Sequence, residues 1–286
     1  MRLADATALR IGGQDAIEAK LGGAVVWSSA PQAFDLNSLF PAGRLGVKLE
    51  IIPDNLFKDT AGTVPVTTDG DLVARINDTS GNGFNAVNGT ESQQATYRTD
   101  GTLHWLEWTP GKHYDMAAAG AMFAGASYGA TFAVTEPADV SNENRRKLVS
   151  FSSGSIDNRT RHDTIVTGNR IGIAGRRVGE DSYVLWDYTS DPIVKQVTGH
   201  IQDWQNARGI LRENGVEVLN EPMHTAGVSG SDTSSFVVLG GHIMPADKPL
   251  EHFEGKLFGL IIVAVRIDTD LANVERELGK WAGITI

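Results

Sequence analysis

Along most of this chain apolar and polar side chains alternate in short runs, and each run stops at glycine, proline, asparagine or aspartate. Alternation is the period of a half-buried strand, and the stopping residues are turn formers. Residues 47–52 (Val-Lys-Leu-Glu-Ile-Ile) alternate and halt at Pro53 and Asp54. Further strands are predicted at 131–135, 147–151, 169–174, 182–188, 236–241 and 255–264, with a polar loop over 136–146. Between residues 207 and 218 two alternating runs flank Asn214 and Gly215. That is a hairpin signal, because a type I′ turn needs positive φ at both central positions. Helical spacing appears at the end: Leu271, Val274, Leu278 and Trp281, with Asp268 or Thr269 as cap and Gly283 behind. Many short strands with almost no helix between them predict an antiparallel two-sheet sandwich from about Gly46 to Ile286. Leu257, Leu260, Ile262 and Val263 are expected in its interior.

The first residues stand apart. Residues 8–13 (Ala-Leu-Arg-Ile-Gly-Gly) and 18–27 (Glu-Ala-Lys-Leu-Gly-Gly-Ala-Val-Val-Trp) repeat one pattern, alternation followed by a Gly-Gly turn. A β unit of two or three strands is marginal by itself and needs a partner to pack on. Residues 1–29 are therefore expected to be a small β attachment module. Residues 30–45 follow as linker and 46–286 as the main domain; Ser28 to Ala33 has linker chemistry.

Composition narrows the function classes. The 32 glycines exceed the roughly 20 of an average chain this long, which suits a fold with many turns. A formal net charge of -10 argues against nucleic acid, which demands a basic face, and against an anionic membrane surface. The absence of cysteine excludes disulfides and thiolate metal sites. The longest strongly apolar stretch, residues 257–265, is too short to span a bilayer. No signal-peptide core follows Met1, so synthesis in a cytoplasm without secretion is expected.

Several stretches carry a family resemblance. They are residues 54–66 (Asp-Asn-Leu-Phe-Lys-Asp-Thr-Ala-Gly-Thr-Val-Pro-Val), 76–86 (Ile-Asn-Asp-Thr-Ser-Gly-Asn-Gly-Phe-Asn-Ala), 95–101 (Ala-Thr-Tyr-Arg-Thr-Asp-Gly) and 105–108 (Trp-Leu-Glu-Trp). In this order they resemble the opening of a concanavalin A-like (laminin-G-like) β-sandwich of the kind found in bacteriophage virion proteins. Residues 253–263 (Phe-Glu-Gly-Lys-Leu-Phe-Gly-Leu-Ile-Ile-Val), followed by a short helix with Glu275, Arg276 and Glu277, resemble the close of such domains. The matched stretches cover residues 44–116 and 250–284. The resemblance implies a non-enzymatic virion component such as a fibre, spike or tail protein, assembled in a bacterial host cytoplasm. Its implied partners are other virion proteins, further copies of itself and a host-surface polysaccharide, with no cofactor. A purely structural capsid decoration or collar protein is the alternative, and a polysaccharide-degrading glycosidase the second.

Candidate chemistry is sparse. Gly81-Asn82-Gly83-Phe84-Asn85-Ala86 matches a dinucleotide fingerprint, but Val87-Asn88-Gly89 ends any helix that could follow, so a turn is the better reading. Asp78, Asn82 and Asn85 could offer oxygens to calcium. Asx residues in such loops more often bond their own backbone. A glycosidase needs two carboxylates flanking the bond, and no strand carries a spaced pair. Glu107 and Glu217 are lone carboxylates expected on a solvated face. The seven histidines form no metal motif, and the serines at 153–155 and 229–231 read as loop residues, not nucleophile elbows. No catalytic residue and no metal ligand is assigned. Aromatic rings can stack on a sugar face, which makes Trp204 and Tyr188 the candidate ligand contacts, with Trp186 expected in the core.

Overall fold

The computed structural model describes residues 10–11, 14–15, 18–21, 24–28, 34–138, 147–152, 161–167, 170–176, 184–189, 194–223, 226–227, 236–241 and 251–286. Most of the loop expected over 136–146, the serine loops at 153–155 and 229–231, and residues 169 and 182–183 of two expected strands lie outside them. The chain divides into two compact units, Met1–Asp35 and Leu36–Ile286. In the first, β1 (Arg10–Ile11) pairs with β2 (Gln14–Asp15), and β3 (Glu18–Leu21) with β4 (Ala24–Ser28), both antiparallel. Residues 36–45, expected as linker, fall in the second unit. A 3-10 turn at Leu36–Leu39 buries Leu36 and Leu39, so these residues belong to the second unit.

The second unit is the expected sandwich. Among the described residues its first sheet runs β19 (Val216–Pro222), β18 (Arg208–Glu213), β17 (Gln196–Asp203), β12 (Gly129–Pro137), β21 (Gly255–Val263), β10 (His104–Trp108) and β9 (Thr96–Thr99). β5 (Gly46–Glu50) pairs with residues 259–263 of β21, whereas β10 pairs with residues 255–257. The second sheet runs β16 (Val184–Thr189), β15 (Arg170–Arg176), β14 (Arg161–Thr167), β13 (Lys147–Ser152), β20 (Phe236–Leu239), β11 (Tyr114–Asp115), β8 (Ala86–Val87), β7 (Arg75–Ile76) and β6 (Leu56–Phe57). The hairpin at Asn214 and Gly215 has the positive φ its residues predicted, 47° and 86°.

The helix α1 (Leu271–Trp281) lies where its spacing placed it, and Gly283 at φ 71° ends it in the left-handed conformation that glycine adopts without strain. It packs across β12, β17 and β21 on the face turned away from the second sheet. Glu275 fastens it: the carboxylate is fully buried and takes a two-pronged bond from Arg212 of β18, at 3.0 and 2.9 Å. Burial raises the pKa of Glu275, and the guanidinium opposes that rise. Because the helix covers the centre of the first sheet, β21 is buried on both faces and reads as a continuous apolar run. Leu257, Leu260 and Ile262 enter the main core between the sheets. Val263 is buried as expected but alternates to the opposite face with Ile261.

The interior is not uniform. The main core joins Leu49, Trp108, Tyr114, Phe123, Phe151, Leu260 and Ile262, among others. A smaller cluster of Ile171, Ile173, Leu211 and Met223 lies towards β15 and β18. Fully buried polar residues stand on the strands between them. Gln196, Thr198, His200 and Gln202 of β17 alternate inward, joined by Thr131 of β12 and His162 of β14. His200 Nδ1 donates to the Gly172 carbonyl at 2.9 Å and Nε2 lies 3.1 Å from the Thr198 hydroxyl. His162 Nε2 lies 2.8 Å from Thr131 Oγ1, and Gln202 donates to the Ala174 carbonyl at 3.0 Å. Burial holds His162 down to about 3, helped by the neighbouring His200, and holds His200 down to about 4. Among the described residues His162 Nδ1, Gln196 Nε2 and Gln202 Oε1 have no hydrogen-bond partner.

Candidate functional site: an aromatic cleft beside the C-terminal helix

The expected aromatic contacts are not brought together. Trp204 is fully buried in the main core, with ring centroids 5.6 Å from Phe123 and 6.5 Å from His162, so its assignment to the surface is corrected. It continues the inward alternation of β17, and Gly129 makes room for it: a Cβ there would lie 2.8 Å from the indole. Tyr188 is half-buried on edge strand β16 and packs against the smaller cluster. Trp186, expected in the core, is half-buried beside it and donates its indole N–H to the Pro222 carbonyl at 3.0 Å.

The Asp78 loop is a clasp of hydrogen bonds. Asp78 Oδ1 accepts from the backbone of Lys48 and Ser80, and Oδ2 from the Ser80 hydroxyl and the Phe84 backbone, at 2.8–2.9 Å. Asn85 Oδ1 accepts from the Asp78 backbone, and Asn82 donates to the carbonyls of Arg44 and Gly46. Both Asp78 oxygens are engaged by two donors each, so the residues considered for calcium are committed to holding the loop along β5. Gly81 and Gly83 take positive φ, as a turn requires.

A half-open cleft of about 180 Å³ lies where β5, the β9–β10 turn, β21 and the end of α1 meet. Glu50, Ile51, Ile52, Thr102, Leu103, His104, Phe258, Lys280 and Trp281 line it. Each wall has a local cause. Trp281 closes the last turn of α1 and its ring lies over Gly259, where a Cβ would be 2.1 Å from the indole. A glycine inside a strand marks such a close approach. The β9–β10 turn is fixed by Asp100, whose carboxylate accepts the backbone N–H groups of Thr102 and Leu103 at 2.9 and 2.8 Å. Those bonds lower its pKa. His104 stacks on Tyr97, with Nδ1 2.7 Å from the phenol oxygen. Lys280 pairs with Glu277 at 2.5 Å, and Lys195 Nζ lies 5.1 Å from the centre of the Phe258 ring.

The arrangement offers a half-buried indole, backed by the buried Phe258 ring and flanked by a carboxylate, an imidazole, a hydroxyl and an ammonium. That combination suits a ligand with one apolar face and a polar rim. Of the lining residues Glu50 alone carries a carboxylate. In the sequence Trp281 reads only as one of the apolar positions at helical spacing, and the sugar contacts are expected at Tyr188 and Trp204. The signal that could have found the cleft was Gly259, which interrupts an otherwise bulky apolar run.

No protein-family model and no curated protein sequence matches the chain. Solved structures do. The CBM40 module of the Ruminococcus gnavus IT-sialidase, bound to α2,3-sialyllactose, is 19% identical with a TM-score of 0.49, over 60% of this chain and 96% of that one. The leech intramolecular trans-sialidase is 17% identical with a TM-score of 0.45, over 60% of this chain and 27% of that one. A chain of botulinum neurotoxin type C, described through its interaction with two ganglioside molecules, is 11% identical with a TM-score of 0.51. That match covers 86% of this chain and 52% of the other. The toxin likeness is one of fold, and it agrees with the antiparallel sandwich seen here.

Proposed function

We propose that this chain is a non-enzymatic, glycan-binding component of a bacteriophage particle, a fibre, spike or tail subunit that holds host-surface polysaccharide in the cleft beside α1. The observation that carries the glycan reading is the cleft itself, where the half-buried Trp281 presents aromatic surface beside Glu50, Thr102, His104 and Lys280, with the buried Phe258 ring behind them. Its single lining carboxylate favours holding a sugar over cleaving one, since glycoside hydrolysis takes two carboxyl groups. The toxin chain that shares the fold is described with ganglioside molecules, which also carry sugars.

The phage context rests on the resemblance over residues 44–116 and 250–284. Every residue lining the cleft falls inside those two stretches. A separate small β unit at the start, Met1–Asp35, suits a mounting role. Arrayed copies would raise avidity by roughly 10²–10⁴ over one domain without any new contact.

The test is a titration of host polysaccharide with the full chain and with particles bearing it. Saturable, weak binding by the chain and far stronger binding by particles is the expected result. If neither binds, the chain is a structural decoration or collar protein. If the chain shortens the polysaccharide and Glu50→Gln stops it, the non-enzyme reading is wrong.

A further inference from the structure

A second group of reactive side chains lies away from the cleft, on β13 and β14 of the second sheet. Lys147 Nζ is 3.2 Å from Asp163 Oδ2 and 2.7 Å from Glu251 Oε2. The lysine side chain is 4% exposed and the aspartate 0%, while Glu251 is 32% exposed. Asp163 Oδ1 accepts a 2.5 Å hydrogen bond from the Ser150 hydroxyl, its partner across the β13–β14 ladder. The backbone holds the third member in place: Lys147 N donates to the Glu251 carbonyl at 3.1 Å, and Lys147 bridges His252 in parallel register.

An ammonium and a carboxylate so placed are usually an ion pair. Burying one is expensive, because desolvation opposes the attraction. Condensing the two into an amide removes both charges, so the environment that penalises the pair favours the neutral product. Fixed neighbours also replace a bimolecular encounter, an advantage that is large for well-oriented groups. From this geometry we infer that Lys147 and Asp163 form an intramolecular isopeptide bond.

The step balances without any co-reactant. Glu251 takes a proton from the Lys147 ammonium, and the freed lone pair attacks Asp163 Cγ, forming the C–N bond. Oδ1 carries the negative charge of the tetrahedral intermediate, facing the Ser150 hydroxyl that already donates to it, as an oxyanion donor does. Glu251 returns that proton to Oδ2 and relays a second one to it from the attacking nitrogen. The C–O bond breaks and Oδ2 departs as one water, while the amide nitrogen keeps the third proton of the original ammonium. Ammonium and carboxylate become amide and water, with no change of oxidation state. Glu251 is the catalytic acid–base group and Ser150 the oxyanion donor. The product staples two adjacent strands of the second sheet covalently.

The experiment is the intact mass of the purified full chain after denaturation, followed by sequencing of its tryptic peptides. The expected mass falls short of the sequence mass by one water, with trypsin failing to cut after Lys147 and a branched peptide joining Lys147 to Asp163. Glu251→Gln, at a partly exposed position, should return the full mass in a protein that still gives a β-sheet circular dichroism spectrum. Lys147→Arg should do the same. The full sequence mass in folded wild-type protein overturns the inference. So does a lost water that maps elsewhere, such as a cyclised Asp69-Gly70 or Asp100-Gly101.

Discussion

The two parts of the sandwich interior are built on opposite terms. Around β5, β10 and β21 the sheets meet through Leu49, Trp108, Leu257, Leu260 and Ile262, and burial of apolar surface stabilises the contact at any pH. Around β14, β15 and β17 they meet through His162, Thr198, His200 and Gln202, whose stability depends on hydrogen bonds and on two imidazoles staying neutral. The cleft belongs to the first part: Glu50 is on β5, His104 on β10, and Phe258 on β21. A binding surface is thus mounted on the apolar frame, while the polar seam lies on the far side of the main core. The difference predicts that the frame, the seam and the cleft can be perturbed separately.

The largest effect should come from the frame. Ile262→Asp would bury an unpaired charge among Leu49, Leu260 and their neighbours, at a cost on the order of 5 kcal/mol. Chemical denaturation should show the variant largely unfolded; an unchanged midpoint would mean that β21 is not central.

Acid should act next, and through the seam. The folded pKa values of His162 and His200, about 3 and about 4, lie below the unfolded value of 6.5. The unfolded chain therefore binds more protons below pH 6.5. The stability from the neutral imidazoles is complete above that pH and is lost as pH falls towards the folded values. The loss approaches about 1.4 kcal/mol per pH unit per histidine well below pH 6.5 and integrates to about 3 kcal/mol for the pair between pH 6.5 and 5. Urea unfolding at the two pH values measures it. The double variant His162→Gln, His200→Gln should flatten the slope, and an equal slope in both proteins would remove the histidines from the account.

The same contrast explains what could be read from the sequence. The sandwich, the hairpin at Asn214 and the helix from Leu271 to Trp281 were legible because alternation, turn residues and helical spacing are local signals. The seam was not. Gln196, Thr198, His200 and Gln202 alternate with apolar residues, the pattern of a strand with one wet face, and it is the facing sheet, with β15 packed across from β17, that buries them. Trp204 was misplaced for that reason, since its polar flanks suggested a surface although it continues the inward side of β17. The cleft was hidden because its residues come from four elements far apart in sequence, and Trp281 satisfies a core spacing while presenting its ring beside Gly259.

A smaller effect should sharpen the link between frame and cleft. Gly259→Ala places a methyl group against the Trp281 indole, and the overpacking should cost about 1–3 kcal/mol while displacing the ring. Thermal melting and tryptophan fluorescence would report the two changes together; a shift in neither would show that Trp281 does not rest on that glycine. Smaller still, removing Met1–Asp35 should leave the melting temperature of the remaining unit unchanged, because Leu36–Ile286 holds the whole described core. Differential scanning calorimetry of the shortened chain checks this, and failure to fold would join the two units into one domain.

The most direct test of the central claim is calorimetric titration of host polysaccharide fragments at neutral pH into the wild-type chain, Trp281→Ala and Tyr188→Ala. The account predicts saturable binding by the wild type, at least about a tenfold loss for Trp281→Ala, the equivalent of about 1.4 kcal/mol, and no change for Tyr188→Ala. Binding that survives Trp281→Ala, or that is lost with Tyr188→Ala instead, would contradict the placement of the glycan site beside α1.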